Sequence, residues 1–287
     1  MTTWAEEVQN DLAGWVGRSE VKVDVFEPER AIALLRALGD ETHLMQGDEL
    51  PSLFHWLYFW NAQSPLATGP DGHPKSNGIL PPHPLPRRMW AGGRLTFLSP
   101  ILVGDRVERH SEVTAIKARS GQTGKLVFIT VTHRLSVQGR LHVLEEQDIV
   151  FRAASTGTPL GASLTVSEPP EPNATWHRQV TPDPVLLFRY SALTMNSHRI
   201  HYDEAYTREV EHYPGLVVQG PLQATLLAQL CSINDRRLSQ FNFRGLAPAL
   251  EGSALHICGE ADVEGAQLWI EQNGTTSMSA EARWTEN

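Results

Sequence analysis

Residues 217–231 read VVQGPLQATLLAQLC, an apolar run without a charged side chain that passes through Gly220 and Pro221. Proline suits the first turn of a helix, because the amide hydrogen that it lacks would have no acceptor within the helix there. The leucines that follow are typical of core residues. The run therefore predicts a helix over about residues 221–231 that other parts of the chain enclose.

Four strand signals follow this helix. Alternating apolar positions and β-rich composition predict strands at about residues 240–247, 252–263, 266–272 and 275–284. The pair Asn273-Gly274 is a strong hairpin signal, because both residues readily take the positive φ of a tight turn. The C-terminal part of the chain is thus expected to be a buried helix followed by an antiparallel sheet.

The N-terminal part shows the same order of elements. Residues 53–60 are apolar all round and are predicted as a helix buried inside a sheet. Strands of an antiparallel meander are predicted at residues 94–100, 106–118, 125–137 and 141–152. Residues 65–88 are rich in Pro, Gly and His, and a loop of this length in a compact domain is usually functional or mobile.

The repeated order defines the expected fold. A long helix wrapped by a curled antiparallel sheet is the hotdog arrangement, and two of them in one chain make an α+β double hotdog. The predicted division is an N-terminal hotdog at 1–152, a linker of polyproline character at 153–178 and a C-terminal hotdog at 179–287. The alternative is a pair of unrelated α+β domains, since the halves share little sequence.

Composition limits the possible partners. The 287 residues are 41% apolar, which is enough for a sizeable core, and carry a formal net charge of -9. Nucleic acids and anionic membranes attract clustered Lys and Arg, so neither is an expected partner of an acidic chain. No stretch approaches the length needed to cross a bilayer, and no signal peptide is recognised, which favours a cytoplasmic protein. Cys231 and Cys258 sit in apolar surroundings and are predicted to be buried thiols.

The segment 188–231 carries the residues that point to chemistry. An aromatic-rich stretch leads to MNSHRIHYDEAY, which contains Asn196, His198 and His201, and the apolar helix with Gly220 at its start follows. In this combination the chain resembles the MaoC-like (R)-specific enoyl-CoA hydratases and, more closely, the long type-2 hydroxyacyl-thioester dehydratases. Their motif reads Asp, any residue, Asn, two residues and His.

The chain keeps the spacing of this motif and its final histidine. Asn196 falls on the first position, His198 on the middle one and His201 on the last, with the same five-residue interval. Upstream, RRMWAGGRLTFLSPILVGDRV at 87–107 resembles the N-terminal half of the long members, so the resemblance covers most of the chain.

The resemblance implies the reversible addition of water to an α,β-unsaturated acyl thioester. It also implies that the C-terminal half, residues 179–287, is catalytic and that the N-terminal half, residues 1–152, shapes the acyl pocket. His201 is the expected general base, since the ordinary pKa of histidine lies near neutral pH. Asn196 is expected to orient water or to fix His201. Backbone N–H groups at Gly220, with the helix dipole, are expected to hold the thioester oxygen, and glycine permits close approach. Neither a metal nor a cofactor is expected beyond the CoA of the substrate.

One departure from the family motif leaves the second proton-transfer group open. The short family members have a carboxylate where this chain has Asn196, and an amide cannot donate and recover a proton as a carboxyl group can. Either His201 alone shuttles a proton of the water, or His198 or Asp203 takes the second role.

The acyl group is a further expectation from the resemblance. Relatives of this length act on C5 dicarboxyl thioesters (itaconyl-CoA, mesaconyl-CoA, citramalyl-CoA) or on 3-hydroxyacyl chains of fatty-acid synthesis. The first group is preferred here, because Arg199 and Arg94 offer partners for a free carboxylate. An exposed salt bridge is the alternative role of Arg199. Bulky tryptophans could shorten the pocket or belong only to the core: Trp56, Trp60 and Trp90.

Other classes of function remain as alternatives. A metal hydrolase could use His198, His201 and Asp203, with His212 nearby, but its histidines would be three positions apart without the catalytic Glu of the helical zinc motif. A non-catalytic thioester-binding module and a hotdog thioesterase are the other two, since fold alone does not select among them. A monomer and a homodimer are both compatible with a double hotdog.

Overall fold

The computed structural model describes residues 3–75, 78–82, 85–121, 124–153 and 174–285. Its strands are β1 (Ser19–Val25), β2 (Arg87–Phe97), β3 (Arg106–Gly121), β4 (Gly124–Val137), β5 (Arg140–Arg152), β6 (Trp176–Val180), β7 (Leu238–Gly245), β8 (Leu255–Ala261), β9 (Gly265–Gln272) and β10 (Thr275–Trp284). Its α-helices are α1 (Trp4–Leu12), α2 (Pro28–Ala37), α3 (Pro184–Leu193), α4 (Glu204–Glu209) and α5 (Gly220–Ile233). These elements confirm the predicted α+β class.

The strands of both halves join into one antiparallel sheet. Within the described ranges the order is β1-β3-β4-β5-β2-β7-β10-β9-β8-β6. The halves meet where β2 pairs with β7, from Gly92 opposite Arg244 to Thr96 opposite Gln240. The two predicted sheets are therefore one continuous sheet, because β2 of the N-terminal half pairs with β7 of the C-terminal half.

The C-terminal half confirms the predicted central helix. Residues 222–231 of α5 are all buried, and the helix packs against β6 to β10. Polar side chains on this helix have partners, since Gln223 accepts a hydrogen bond from Ser277 and the hydroxyl of Thr225 donates to the carbonyl of Pro221. Cys231 on α5 is a buried thiol, as predicted, and so is Cys258 on β8. The β9–β10 hairpin turns at Asn273 and Gly274, both at positive φ.

The predicted helix at residues 53–60 is wrong. Only a four-residue 3₁₀ turn, Phe54–Leu57, forms there. Leu53 and Phe59 flank it with φ of 70° and 60°, and this left-handed backbone ends a helix on both sides. The run is apolar all round because it is buried, and α2 contributes Leu34 and Leu35 to the same core.

Local signals located most of the other elements. The strand β6 begins inside the predicted linker and pairs with β8, whereas residues 154–173 of that linker lie outside the described residues. Among its described residues, the loop predicted at 65–88 contains a short 3₁₀ turn, Pro65–Ala67, and β2 begins at Arg87. Among the described helices, none combines the length and the apolar character needed to cross a bilayer.

Candidate active site

The chain between α3 and α5 holds the predicted catalytic histidine. After α3, Met195 takes a φ of 50° and turns the chain out of the helix. The side-chain oxygen of Asn196 then accepts a hydrogen bond from the backbone N–H of His198 at 3.1 Å, a turn that asparagine favours. A short 3₁₀ helix, Arg199–His201, follows. Asn196 thus shapes the turn that presents the histidines, and its role towards water stays a prediction.

His201 is held in the form that a general base needs. Its Nδ1 lies 2.7 Å from the carbonyl oxygen of Val217, and because a carbonyl only accepts, Nδ1 donates its proton. Burial lowers the pKa of His201 to about 4; the bond to Val217 acts in the opposite direction, and the charge of His73 lowers the pKa further. The ring is therefore neutral at neutral pH, with its unprotonated nitrogen at Nε2.

The beginning of α5 lies close to His201. Val217, whose carbonyl holds the histidine, also donates its N–H to the residue before His201 at 2.9 Å and stands three positions before Gly220. The atoms nearest to a Cβ added at Gly220 would be the carbonyl oxygen of Trp90 at 3.8 Å and Met278 Cε at 4.0 Å. Both are ordinary contacts, so packing within the protein does not require glycine here. The predicted binding of the thioester oxygen by the first amides of α5 stays a prediction.

A loop from the N-terminal half is clamped onto the histidine segment by hydrogen bonds. Arg199 donates its backbone N–H to the carbonyl of Asp71 at 2.9 Å and its Nη1 to the carbonyl of Pro70 at 2.9 Å. The hydroxyl of Ser197 donates to the carbonyl of Gly72 at 2.6 Å. Gly72 has a φ of +88°, and a Cβ there would overlap the carbonyl oxygen of Ser197. The close approach therefore requires glycine.

The clamp places Asp71 and His73 beside the histidines. Asp71 accepts hydrogen bonds at 3.0 Å from both the Nδ1 and the backbone N–H of His73. The ring centroid of His73 lies 4.1 Å from that of His198, which lies 5.4 Å from that of His201. The site thus contains three neighbouring imidazoles with a carboxylate behind the first, and the N-terminal half supplies two of these four side chains.

Arg88 is a cation of the same site. Its side chain is partly buried, and burial lowers the pKa of its guanidinium to about 10, with Asp71 acting in the opposite direction. Burial also lowers the pKa of His198 far below its ordinary value, and His73, His201 and Arg88 add to this effect. His198 is therefore neutral, while Arg88 keeps its charge at neutral pH.

The predicted anion-binding arginines are both engaged elsewhere. Arg199 donates to Asp203 from Nε and Nη2 at 3.0 Å and 2.7 Å, so its alternative role as a salt bridge is the one observed. Arg94 is bound by Glu146 and Asp148 on the exposed side of β2. Two carboxylates thus already neutralise its charge in this structure, and its role as an anion-binding residue stays a prediction.

Aromatic side chains form a block near the start of α5. The ring centroids of Trp56 and Trp90 are 4.9 Å apart, and Phe243 packs on the edges of both at 5.9 Å and 6.0 Å. Trp60 lies elsewhere: it is 38% exposed and donates its Nε1 to the carbonyl of Leu193. Trp56 and Trp90 thus pack against the core of the protein, and their role in shortening a pocket stays a prediction.

A metal ligand set differs from the one considered in the sequence. Of the described residues, only Asp71, His73 and His198 have ligand atoms within 4.8 Å of one another. Asp203 instead pairs with Arg199 and caps α4. The rings of His73 and His198 lie 36° from parallel. Among the described residues, the structure therefore does not bring together the ligand set considered in the sequence, His198, His201 and Asp203.

The sequence prediction does not include Asp71, His73 or Arg88. The Pro- and Gly-rich loop at 65–88 is the signal that points towards them, because loops of this kind often carry function. Its contact with Ser197, 125 positions after Gly72, follows from no local pattern.

The buried histidines predict a loss of stability in acid. The pKa values of His133 and His201 are lowered by burial to about 4, and that of His198 is lowered too. Below the ordinary histidine pKa, the unfolded chain therefore binds more protons than the native protein. The free energy of unfolding consequently decreases as the pH is lowered in this range. We expect the free energy of unfolding to decrease by several kcal/mol from about pH 6.5 to about pH 4.5. Urea unfolding at each pH measures this decrease as a lower midpoint. A urea midpoint that stays constant over this pH range would contradict the burial of these histidines in their neutral form.

A neutral histidine beside the first turn of a buried helix, in a sheet built from two hotdog-like halves, is the arrangement expected from the resemblance to thioester hydratases and dehydratases. The sequence model of the family "hydroxyacyl-thioester dehydratase type 2" matches residues 53–251. The chain belongs to this family and is a hydro-lyase.

The comparisons with known proteins agree on activity and fold. The chain is 39% identical over 273 residues to the mesaconyl-C(4)-CoA hydratase of Chloroflexus aurantiacus, covering 94% of this chain and 96% of that protein. It is 29% identical over 246 residues to the mitochondrial hydroxyacyl-thioester dehydratase type 2 of Schizosaccharomyces pombe, covering 76% and 79%. The chain is therefore a hydratase or dehydratase of acyl thioesters.

Solved structures confirm the double hotdog. HtdX of Mycobacterium tuberculosis matches with a TM-score of 0.68 at 17% identity, over 93% of this chain and 100% of that one. Another protein of that organism, described as having a double hotdog fold, matches with a TM-score of 0.57 at 14% identity, over 94% and 96%.

Proposed function

We propose that this protein reversibly hydrates a small C5 dicarboxyl-CoA thioester of the mesaconyl-C4-CoA type to citramalyl-CoA. The observation that carries the proposal is the 39% identity, over nearly the whole of both chains, to a mesaconyl-C(4)-CoA hydratase. CoA enters as part of the substrate, and the proposed reaction needs no metal or other cofactor. A cytoplasmic location, and a monomer or a homodimer, remain part of the proposal.

The geometry supports the chemistry of hydration. Nε2 of His201 is the unprotonated nitrogen of a neutral, fixed imidazole, and it can remove a proton from water. The new C–O bond forms at the β-carbon, and negative charge develops on the thioester oxygen. Free backbone N–H groups at Gly220, at the positive end of the α5 dipole, can bind that oxygen.

Arg88 supports a substrate with a free carboxylate. In a mesaconyl-C4 thioester this carboxylate is attached to the β-carbon, where its negative charge disfavours the approach of a hydroxide-like nucleophile. Arg88 lies close enough to His198 for its charge to lower the pKa of that histidine. A guanidinium at this place can bind the carboxylate bidentately and neutralise it.

The aromatic block supports a short acyl group. The carbonyl oxygen of Trp90 is the atom nearest to a Cβ placed on Gly220. The rings of the block lie beside this oxygen and belong to Trp56, Trp90 and Phe243. An extended acyl chain would have to displace these rings. A C5 group does not reach as far beyond its thioester carbon.

The alternative is a 3-hydroxyacyl-thioester dehydratase of fatty-acid metabolism. The family match and the 29% identity to the Schizosaccharomyces pombe enzyme favour it. It uses the same base and the same helix start, so only the acyl group distinguishes the two proposals.

The proposed function is tested on the purified protein after treatment with EDTA. Loss of enoyl-thioester absorbance is followed with mesaconyl-C4-CoA, itaconyl-CoA, crotonyl-CoA and a long-chain enoyl-CoA. We expect the highest kcat/KM with mesaconyl-C4-CoA. A higher value with the long-chain thioester would transfer the proposal to fatty-acid metabolism, and inactivity with all four would contradict hydration.

Arg88→Met is expected to separate the substrates. Loss of a charge-assisted contact to the carboxylate should lower kcat/KM for mesaconyl-C4-CoA by about 10- to 100-fold, and that for crotonyl-CoA much less. Arg94→Met is the matched control, since Glu146 and Asp148 hold that guanidinium on the exposed side of the sheet. Equal losses with both thioesters would show that Arg88 does not bind the carboxylate.

A further inference from the structure

The loop of residues 69–73 brings a second acid–base group to the site. We propose that His73, oriented by Asp71, is the general acid that protonates the α-carbon of the substrate, so that the active site is assembled from both halves of the chain. This inference rests on the proposed hydratase function. It assigns a catalytic residue to the N-terminal half, for which the sequence predicts only a pocket-shaping role.

Asn196 cannot be the second proton-transfer group, so that role falls to another side chain or to His201 itself. The amide neither donates nor recovers a proton in the accessible pH range. Its side-chain oxygen is also committed to the backbone N–H of His198 at 3.1 Å. Asp203, another sequence candidate, bonds to Arg199 and to the backbone N–H of Tyr206. These contacts stabilise local structure, so neither Asn196 nor Asp203 is placed to deliver the second proton.

Hydrogen bonds between the two halves of the chain hold the loop that carries His73. Ser197 and Arg199 hold the loop through the carbonyls of Pro70, Asp71 and Gly72. These bonds connect the loop directly to the segment that ends at His201. Any displacement of one half against the other would therefore have to break several hydrogen bonds before His73 could leave the site.

The ring of His73 is oriented by its neighbours. Asp71 accepts from its Nδ1 at 3.0 Å, a hydrogen bond that is stronger to an imidazolium than to a neutral ring. His198 faces it at 4.1 Å between ring centroids, with His201 beyond. A charge on His73 lowers the pKa of His201, which keeps that ring neutral as a base. An imidazole bound to a carboxylate and a neutral imidazole are suited to act as acid and base.

The step balances with one water and two histidines. His201 removes a proton from water while the water oxygen bonds to the β-carbon, and the π electrons of the double bond move towards the α-carbon and the thioester oxygen. His73 then gives its proton to the α-carbon. His201 ends protonated and His73 neutral, and one proton returns between them through His198 or solvent. Dehydration is the same sequence in reverse.

The test compares full-length wild type, His73→Ala, Asp71→Asn and His43→Ala with the thioester that the wild type hydrates best. His43 is an exposed loop histidine and serves as the matched control. We expect His73→Ala to lower kcat by about 10²- to 10⁴-fold, and added imidazole to restore part of the rate. The high-pH decline of hydration, which reports the acid, should disappear in His73→Ala. It should move to lower pH in Asp71→Asn, because the carboxylate stabilises the imidazolium.

Three outcomes would overturn the assignment. One is a His73→Ala rate within about threefold of wild type. Another is a low rate with an unchanged pH profile and without rescue by imidazole, which would indicate a structural role. The third is loss of wild-type activity on chelation with recovery on adding Zn²⁺, which would favour an ion held by Asp71, His73 and His198. An inactive wild type would instead overturn the proposed function itself.

Discussion

His201→Asn is expected to lower kcat by about 10²- to 10⁴-fold while leaving the protein folded. The side-chain N–H of asparagine can take the place of Nδ1–H and donate to the carbonyl of Val217, which now accepts from His201 at 2.7 Å. Nothing then replaces Nε2, the nitrogen that removes the proton from water. The substitution thus removes the base and keeps the buried hydrogen bond, whereas an alanine would remove both.

The measurement is the rate of hydration together with the urea midpoint of each variant. His133→Asn is the matched control, because His133 is also buried and neutral but bonds through Nδ1 to Ser111 in the N-terminal half. We expect both variants to lose similar stability and only His201→Asn to lose activity. A His201→Asn enzyme within about tenfold of wild type would mean that another group is the base.

Gly72→Ala is expected to have the second large effect, about 100-fold or more in kcat. Gly72 has a φ of +88°, and the new Cβ would overlap the carbonyl oxygen of Ser197. The obstacle is backbone rather than the end of a flexible side chain, so the loop has to withdraw from the histidine segment. Asp71 and His73 would move with it, and the hydrogen bond from Ser197 to the carbonyl of Gly72 would be lost.

Gly139→Ala separates the clash from backbone strain. Gly139 has a φ of +79° in the β4–β5 turn, and no atom lies within 4 Å of its Cβ position. Both variants carry the cost of a left-handed alanine, roughly 1 kcal/mol, but only Gly72→Ala also meets an obstacle. We expect Gly139→Ala to be slightly less stable and fully active. Normal activity of Gly72→Ala would show that the loop does not need its observed place for catalysis.

Elements with strong local signals agree with the sequence prediction. The apolar run after Gly220-Pro221 forms α5, and Asn273-Gly274 turns the last hairpin. The run at residues 53–60 fails for an identifiable reason. A continuous apolar run signals burial without specifying backbone, and here left-handed Leu53 and Phe59 leave only a 3₁₀ turn between them.

The sequence by itself determined the family, the buried central helix and the place of His201 on a short motif, because all of these depend on residues that are near neighbours in the chain. Only the tertiary structure decided which side chains complete the site. Asp71 and His73 reach the motif through bonds between residues up to 129 positions apart, and Arg94 is withdrawn by carboxylates on a neighbouring strand. Contacts of that range follow from the pairing of β2 with β7 and from the clamped loop, which local patterns do not encode.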